Sequence, residues 1–178
     1  MLSRGAEMSK YVITGFMHAG KSTCVQRIIE NSGRSISGVL TKKVDAEDEN
    51  MPSAIYMFPA GKSLIEDEAH IVGHCGHRFK DVDTDKFDEL GVKYLSEIKP
   101  GDLVIIDELG FIEKDAMFFR AKILEVLQGP EDVIAVIKNK PGIEFLEQIK
   151  ALSGIELITL DQSNRDEIYS YLLKNLSR

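Results

Sequence analysis

A chain of 178 residues, 43% of them hydrophobic and 29% charged, is long enough for one α/β domain with a sizeable core and ordinary for a soluble globular protein. Its formal charge of −7, with no long basic stretch, argues against general binding to nucleic acid or a membrane surface. No apolar run approaches the ~20 residues that span a bilayer, and Cys24 and Cys75 suggest no disulfide framework, so a reducing cytoplasm is the expected compartment.

Met1 to Lys10 is polar and lacks the apolar core of a signal peptide. Residues 1–10 are expected as an extension free to be disordered, with Met8 as an alternative start, and 11–178 as a single domain. Tyr11-Val12-Ile13-Thr14 is a β-branched run that reads as a buried strand. Gly15-Phe16-Met17-His18-Ala19-Gly20-Lys21-Ser22 follows and matches the phosphate-loop pattern G-x-x-x-x-G-K-[S/T]. Cys24, Val25, Ile28 and Ile29 then fall at helical spacing over residues 22–30. Strand, glycine loop and helix are the context that the pattern needs.

Each residue type in the loop has a chemical reason. Phosphates are anionic, so they want the inward-pointing N–H groups of the loop and the positive end of the helix. Gly15 and Gly20 turn the backbone with no Cβ between it and the phosphate. Lys21 supplies a mobile cation for the terminal phosphates, and the Ser22 hydroxyl suits Mg²⁺. Thr23 adds a hydroxyl near the α-phosphate. Residues Gly15 to Thr23 are therefore the expected nucleotide-binding set, with ATP or GTP as the nucleotide and Mg²⁺ as the cofactor.

Farther along, Ile36–Val44 and Ser53–Phe58 read as strands on either side of an acidic turn, and together as a hairpin added at one edge of the sheet. Residues 61–83 are hard to read, with scattered Gly and His. Over Thr84–Ile98, Phe87, Leu90, Gly91, Tyr94, Leu95 and Ile98 share a helical face, which Pro100-Gly101 ends. Leu103-Val104-Ile105-Ile106 reads as a buried parallel strand. Asp115–Leu127 is a predicted helix with Phe118, Phe119, Ile123, Leu124 and Leu127 as its apolar stripe. Strands are expected at 132–137 and 155–160, and helices at 141–152 and 164–176. This alternation predicts a three-layer α/β P-loop fold: a mostly parallel sheet, helices on both faces and an added antiparallel hairpin.

Asp107-Glu108 stands at the end of the Leu103–Ile106 strand, where parallel sheets present their ligand crevice. An acid after an apolar run is a Walker B pattern. Asp107 is expected to hold Mg²⁺ opposite Ser22. Glu108, a second carboxylate directly after it, suits the orienting and polarising of a water for attack on the γ-phosphorus. Glu108 and Lys21 are the expected catalytic residues.

Four segments now recur in one order: Gly15 to Thr23; Gly38-Val39-Leu40-Thr41; Asp107-Glu108-Leu109-Gly110-Phe111-Ile112-Glu113 with Phe119; and Asn164-Arg165-Asp166. Val72-Gly73 before an acidic helix fits as well. In these the chain resembles the small nucleoside-triphosphatase family of bacteria and archaea, whose human relative is called cancer-related nucleoside-triphosphatase. The resemblance covers nearly the whole chain from residue 11. It implies Mg²⁺-dependent hydrolysis of nucleoside triphosphates with broad base preference, and places Asn164 and Arg165 near the base or its pocket. The bland reading of Asn164 is an N-cap for the last helix.

Two departures stand out. His18 occupies a position where the family usually has Gly. Lys42 and Lys43, followed by acidic residues, stand where its arginines are expected, leaving Arg78 and Arg120 as other candidate cations. Lys138 and Asn139, after the 132–137 strand, are candidates to sense the γ-phosphate, with a solvated loop start as the plainer reading. His70, His74, Cys75 and His77 are sensible zinc ligand types, but their spacing fits no finger and a polar loop is expected. Two rivals to hydrolysis remain open at this point. One is a phosphotransferase, for a small molecule or a polynucleotide end, using 61–83 as a lid. The other is a nucleotide-gated adaptor with little turnover.

Overall fold

The computed structural model describes residues 8–48, 50–76 and 80–177. Its strands are β1 (Lys10–Thr14), β2 (Ile36–Val44), β3 (Ser53–Pro59), β4 (Ile71–Cys75), β5 (Lys80–Val82), β6 (Leu103–Leu109), β7 (Asp132–Ile137) and β8 (Ile155–Thr159). Its α-helices are α1 (Lys21–Asn31), α2 (Thr84–Ser96), α3 (Met117–Gln128), α4 (Glu144–Lys150) and α5 (Arg165–Leu176). The strands form one sheet in the order β5-β4-β3-β2-β6-β7-β1-β8. From β2 to β8 the neighbours are parallel, and β3, β4 and β5 continue the other side antiparallel.

Alternation along the central strands assigns each face its helices. Val12, Val104, Ile106, Val133 and Ala135 point to the face covered by α2, α3 and α4. Tyr11, Ile13, Leu103, Ile105, Ile134 and Val136 point to the face covered by α1 and α5. The central strands are buried on both sides and so read as continuous apolar runs. The expected three-layer α/β fold is the observed one. No helix among the described residues is long and apolar enough to cross a membrane.

The structure extends or corrects the expectations in four places. The edge addition is larger than a hairpin: β2 is itself a parallel neighbour of β6, and three antiparallel strands follow it. The described part of 61–83, which a phosphotransferase would need for a lid, supplies a 3₁₀ turn (Glu68–His70), β4 and β5. Phe118 is 74% exposed, and the buried stripe of α3 is Phe119, Ile123, Val126 and Leu127. Those four fall at i, i+4, i+7 and i+8, while Phe118 lies about 100° away around the helix. At the N-terminus, Lys10 belongs to β1 and is buried, so the strand begins one residue before Tyr11.

Candidate active site

The chain leaves β1 through Gly15, where Leu160 N–H donates to the Thr14 carbonyl at 2.8 Å. A Cβ on Gly15 would lie 2.1 Å from the Leu160 carbonyl oxygen, so only glycine lets the end of β8 close on the loop. His18 has φ +62°, the left-handed region that glycine enters freely. A histidine there costs about 1–2 kcal/mol of backbone strain. Gly20, at φ +100°, turns the chain into α1. Phe16, Met17 and His18 are exposed and Ala19 is buried, so these four contribute backbone to the loop.

Lys21 is buried, and its Nζ donates to the carbonyls of Gly15 and Phe16, both at 3.0 Å. The same ammonium stands 3.7 Å from Glu108 Oε2. Ser22 and Thr23 are exposed residues on the first turn of α1. Asp107 is buried at the C-terminal end of β6, and burial pushes its carboxyl up to about 6. The Ser22 hydroxyl, by hydrogen bonding, and Lys21 oppose that shift, while Glu108 adds to it. Asp107 Oδ1 has no hydrogen-bond partner among the described residues. A buried carboxylate oxygen in that state is costly unless something binds it. Ser22 and Asp107 thus form an oxygen pair fit for a hard cation that keeps several waters, as Mg²⁺ does. Among the described residues no three His, Cys, Asp or Glu converge as a closed metal cage.

Because β7 lies between β1 and β6, the loop strand and the carboxylate strand sit two strand spacings apart, ~10 Å. Thr41 on β2 fastens the carboxylate turn: its hydroxyl lies 3.4 Å from both the N–H and the carbonyl oxygen of Glu108. Glu113 is buried, with its Oε1 accepting from Gly110 N–H, and burial pushes its carboxyl above the usual range. Lys138 reaches Glu108 from the end of β7, Nζ to Oε1 at 3.6 Å. Thr41 belongs to the Gly38–Thr41 segment of the resemblance, which gave it no role, and a hydroxyl three places from the end of a sheet strand carries no signal of its own.

The cleft on the other side of the loop, ≈ 290 Å³, is lined by Gly20, Thr23, Cys24, Arg27, Arg165 and Asp166. Arg165 therefore joins the loop, its Cδ 3.8 Å from where a Gly20 Cβ would be. Asn164 holds the N-cap position of α5, but its side chain turns back. Its Oδ1 accepts from Asp161 N–H at 2.8 Å and its Nδ2 donates to the Thr159 carbonyl at 3.0 Å. It fixes the turn that presents Arg165. Arg120 is spent elsewhere, donating to the Lys114 carbonyl at 2.7 Å and stacking over Phe145. Lys42 and Lys43 are exposed, and Lys43 pairs with Asp45. Arg78 and His77 lie outside the described residues. His70 and His74 face Asp67 and Asp81 respectively.

A glycine loop opening a helix, with a carboxylate pair at the end of a buried strand two places along the sheet, defines a P-loop nucleoside triphosphatase. The chain matches the sequence model of the family described as NTPase over residues 10–173, and it belongs to that family. It is 30% identical to the nucleoside-triphosphatase THEP1 of Aquifex aeolicus, covering 95% of this chain and 99% of that one. The nucleoside-triphosphatase THEP1 of Methanosarcina acetivorans is 28% identical, over 90% of this chain and 93% of that protein. The crystal structure of THEP1 from Aquifex aeolicus superposes with a TM-score of 0.75 at 25% identity, covering 95% and 99% of the two chains. The solution structure of a human cancer-related nucleoside triphosphatase shares the fold, with a TM-score of 0.73 at 17% identity over 93% and 96%. The protein is a hydrolase of nucleoside triphosphates, as the resemblance implied.

Proposed function

We propose that the protein cleaves the γ-phosphate of ATP, GTP and other nucleoside triphosphates in a Mg²⁺-dependent reaction, with Glu108 positioning the attacking water. The observation that carries this reading is the 3.7 Å approach of Glu108 to Lys21. It sets a carboxylate at the terminal-phosphate end of the loop, beside the cation that meets those phosphates. The loop N–H groups and the α1 N-terminus hold the phosphate chain. Lys21 exchanges the Gly15 and Phe16 carbonyls for phosphate oxygens and stabilises charge that grows there in the transition state. Ser22 and Asp107 would hold Mg²⁺, which would supply positive charge against the phosphates. Glu108 accepts a hydrogen bond from the water and orients it, with its backbone fixed by Thr41. Thr23 and Arg165 face the nucleoside side of the loop, where the cleft is open.

Both cysteines are free, which suits a reducing cytoplasm. The test is phosphate release from ATP, GTP, CTP and UTP with Mg²⁺, wild type beside Glu108→Gln. The variant is expected to keep its nucleotide and lose roughly 10²–10⁴-fold in turnover. Turnover near wild type would remove Glu108 from this role.

A further inference from the structure

We propose that Lys138 is a positioning residue for Glu108, taking over its carboxylate when Lys21 turns to the phosphates. The inference rests on the reading of Glu108 as the water-positioning carboxylate. Glu108 has two oxygens, and each faces a different lysine: Oε2 faces Lys21 at 3.7 Å and Oε1 faces Lys138 at 3.6 Å. Lys21 belongs to the loop, and incoming phosphates claim its ammonium. Lys138 belongs to the end of β7, outside the phosphate cradle, and stays with the carboxylate.

The surrounding chain is built to hold Lys138 there. Its N–H donates to the Leu109 carbonyl at 2.8 Å, tying its backbone to the residue after Glu108. Its side chain crosses the backbone at Gly110: a Cβ there would lie 2.8 Å from Lys138 Cδ and 3.3 Å from Cγ and Cε. Any other residue at 110 would push the stem aside. Glu113 fixes that glycine by accepting its N–H. The ammonium ends 5.2 Å from the centre of the Phe111 ring, and Lys140 shares that ring at 4.5 Å. Lys138 is thus held between the Glu108 carboxylate and an aromatic face at the catalytic end of the sheet. With Lys138 39% and Glu108 27% exposed, the pair is too wet to add much stability. What a fixed cation does give is one orientation for the carboxylate, and misplacement of a catalytic group by about 1 Å can cost 10²-fold in rate.

The experiment is a double-mutant cycle on phosphate release from ATP with Mg²⁺, using Lys138→Met and Glu108→Gln singly and together. Methionine keeps the stem over Gly110 and removes the charge. Lys138→Met is expected to lower kcat about 10- to 100-fold, as loss of a supporting partner does, with KM within about twofold of wild type. In the Glu108→Gln background the same substitution is expected to change kcat by less than about twofold, because the group it acts through is gone. Lys138→Arg, which keeps the charge, is expected to recover part of the loss. Losses that simply add in the double variant would overturn the proposal. So would a rise in KM at unchanged kcat, which would make Lys138 a phosphate-binding residue instead. A collapse in Glu108→Gln with full activity in Lys138→Met would sink this inference alone. Full activity in Glu108→Gln would sink the reading beneath it.

Discussion

The Phe119 ring of α3 lies against the backbone of Gly91 in α2, so near that a Cβ on Gly91 would sit 2.2 Å from Cδ2 and 2.7 Å from Cε2. The ring has nowhere to go, being 1% exposed and packed at 5.8 Å from Phe87. Its own N–H donates to Asp88 Oδ1 at 2.7 Å, which pins the start of α3 to α2. Two effects compete in Gly91→Ala. Alanine favours a helix interior by about 1 kcal/mol, and overpacking a core costs typically 1–3 kcal/mol. With the ring locked, overpacking wins. The variant is expected to lose about 1–2 kcal/mol in urea unfolding and about 2–4 °C of Tm per kcal/mol. Phe119→Leu in the same chain should return part of that loss, and an unchanged or raised Tm in Gly91→Ala would show that the two helices can part.

At Asp107 the proposed function would be set against stability. Its carboxylate is buried, and among the described residues Oδ1 has no hydrogen-bond partner. Asp107→Asn removes the charge at nearly the same volume. The nucleotide-free variant is expected to gain about 1–2 kcal/mol in denaturant at neutral pH, since burial disfavours the ionised carboxylate despite the Ser22 hydrogen bond and Lys21. Phosphate release should fall at least 10²-fold, and Mg²⁺ should no longer raise Tm in the presence of nucleotide. A variant that is both less stable and still Mg²⁺-responsive would mean that Asp107 is a structural acid.

Much of this was legible in the sequence because it is local. The phosphate loop and Asp107-Glu108 are contiguous motifs with their strand and helix beside them, and β2 matches its expected bounds of 36–44. The buried face of α2 is Phe87, Leu90, Gly91, Tyr94 and Leu95, as its 3.6-residue period says. Most of what failed depended on partners distant in sequence. β4 offers only Ile71 and Val72 before Gly73 and His74, and β5 is three residues long, so neither carries a period of its own. They are strands because β3 leaves an edge to pair with. The predicted 141–152 helix shrinks to Glu144–Lys150, since Gly142 takes φ +82° in the turn after Pro141. Lys138 was visible as a residue after a strand. Its meeting with Glu108 follows from the β6–β7 register, which pairs Leu109 with Ile137.

The two cysteines should behave as opposites. Cys24 is 3% exposed in α1, and burial pushes its thiol up to about 11. At pH 8 only ~10⁻³ of it is thiolate, the reactive form. Cys75, at the end of β4, is partly exposed. A chromogenic disulfide reagent at pH 8 is therefore expected to find one fast thiol per native chain and two after denaturation. Mass mapping should place the fast adduct on Cys75. Two fast thiols in the native protein would mean that α1 opens from the sheet on the timescale of labelling.

Glu113 makes a pH-dependent contribution whose sign can be worked out. Its carboxyl is 2% exposed, and burial raises it above the ordinary 4.5. In the window from 4.5 up to that raised value, the folded protein holds a proton that the unfolded chain has released. Stability from this group is then present at low pH and declines as pH rises through the window. Asp107, also raised, acts in the same direction but is common to both proteins in a comparison with Glu113→Gln. Glutamine keeps an oxygen for the Gly110 N–H and carries no charge at any pH. The unfolding free energy of Glu113→Gln relative to wild type should therefore rise between pH 5 and pH 8, whatever its absolute offset. Urea unfolding of both proteins at the two pH values gives that difference directly. A difference that stays flat or falls would mean that the Glu113 carboxylate is fully compensated in the folded state, with Lys138 as the charge best placed to do it.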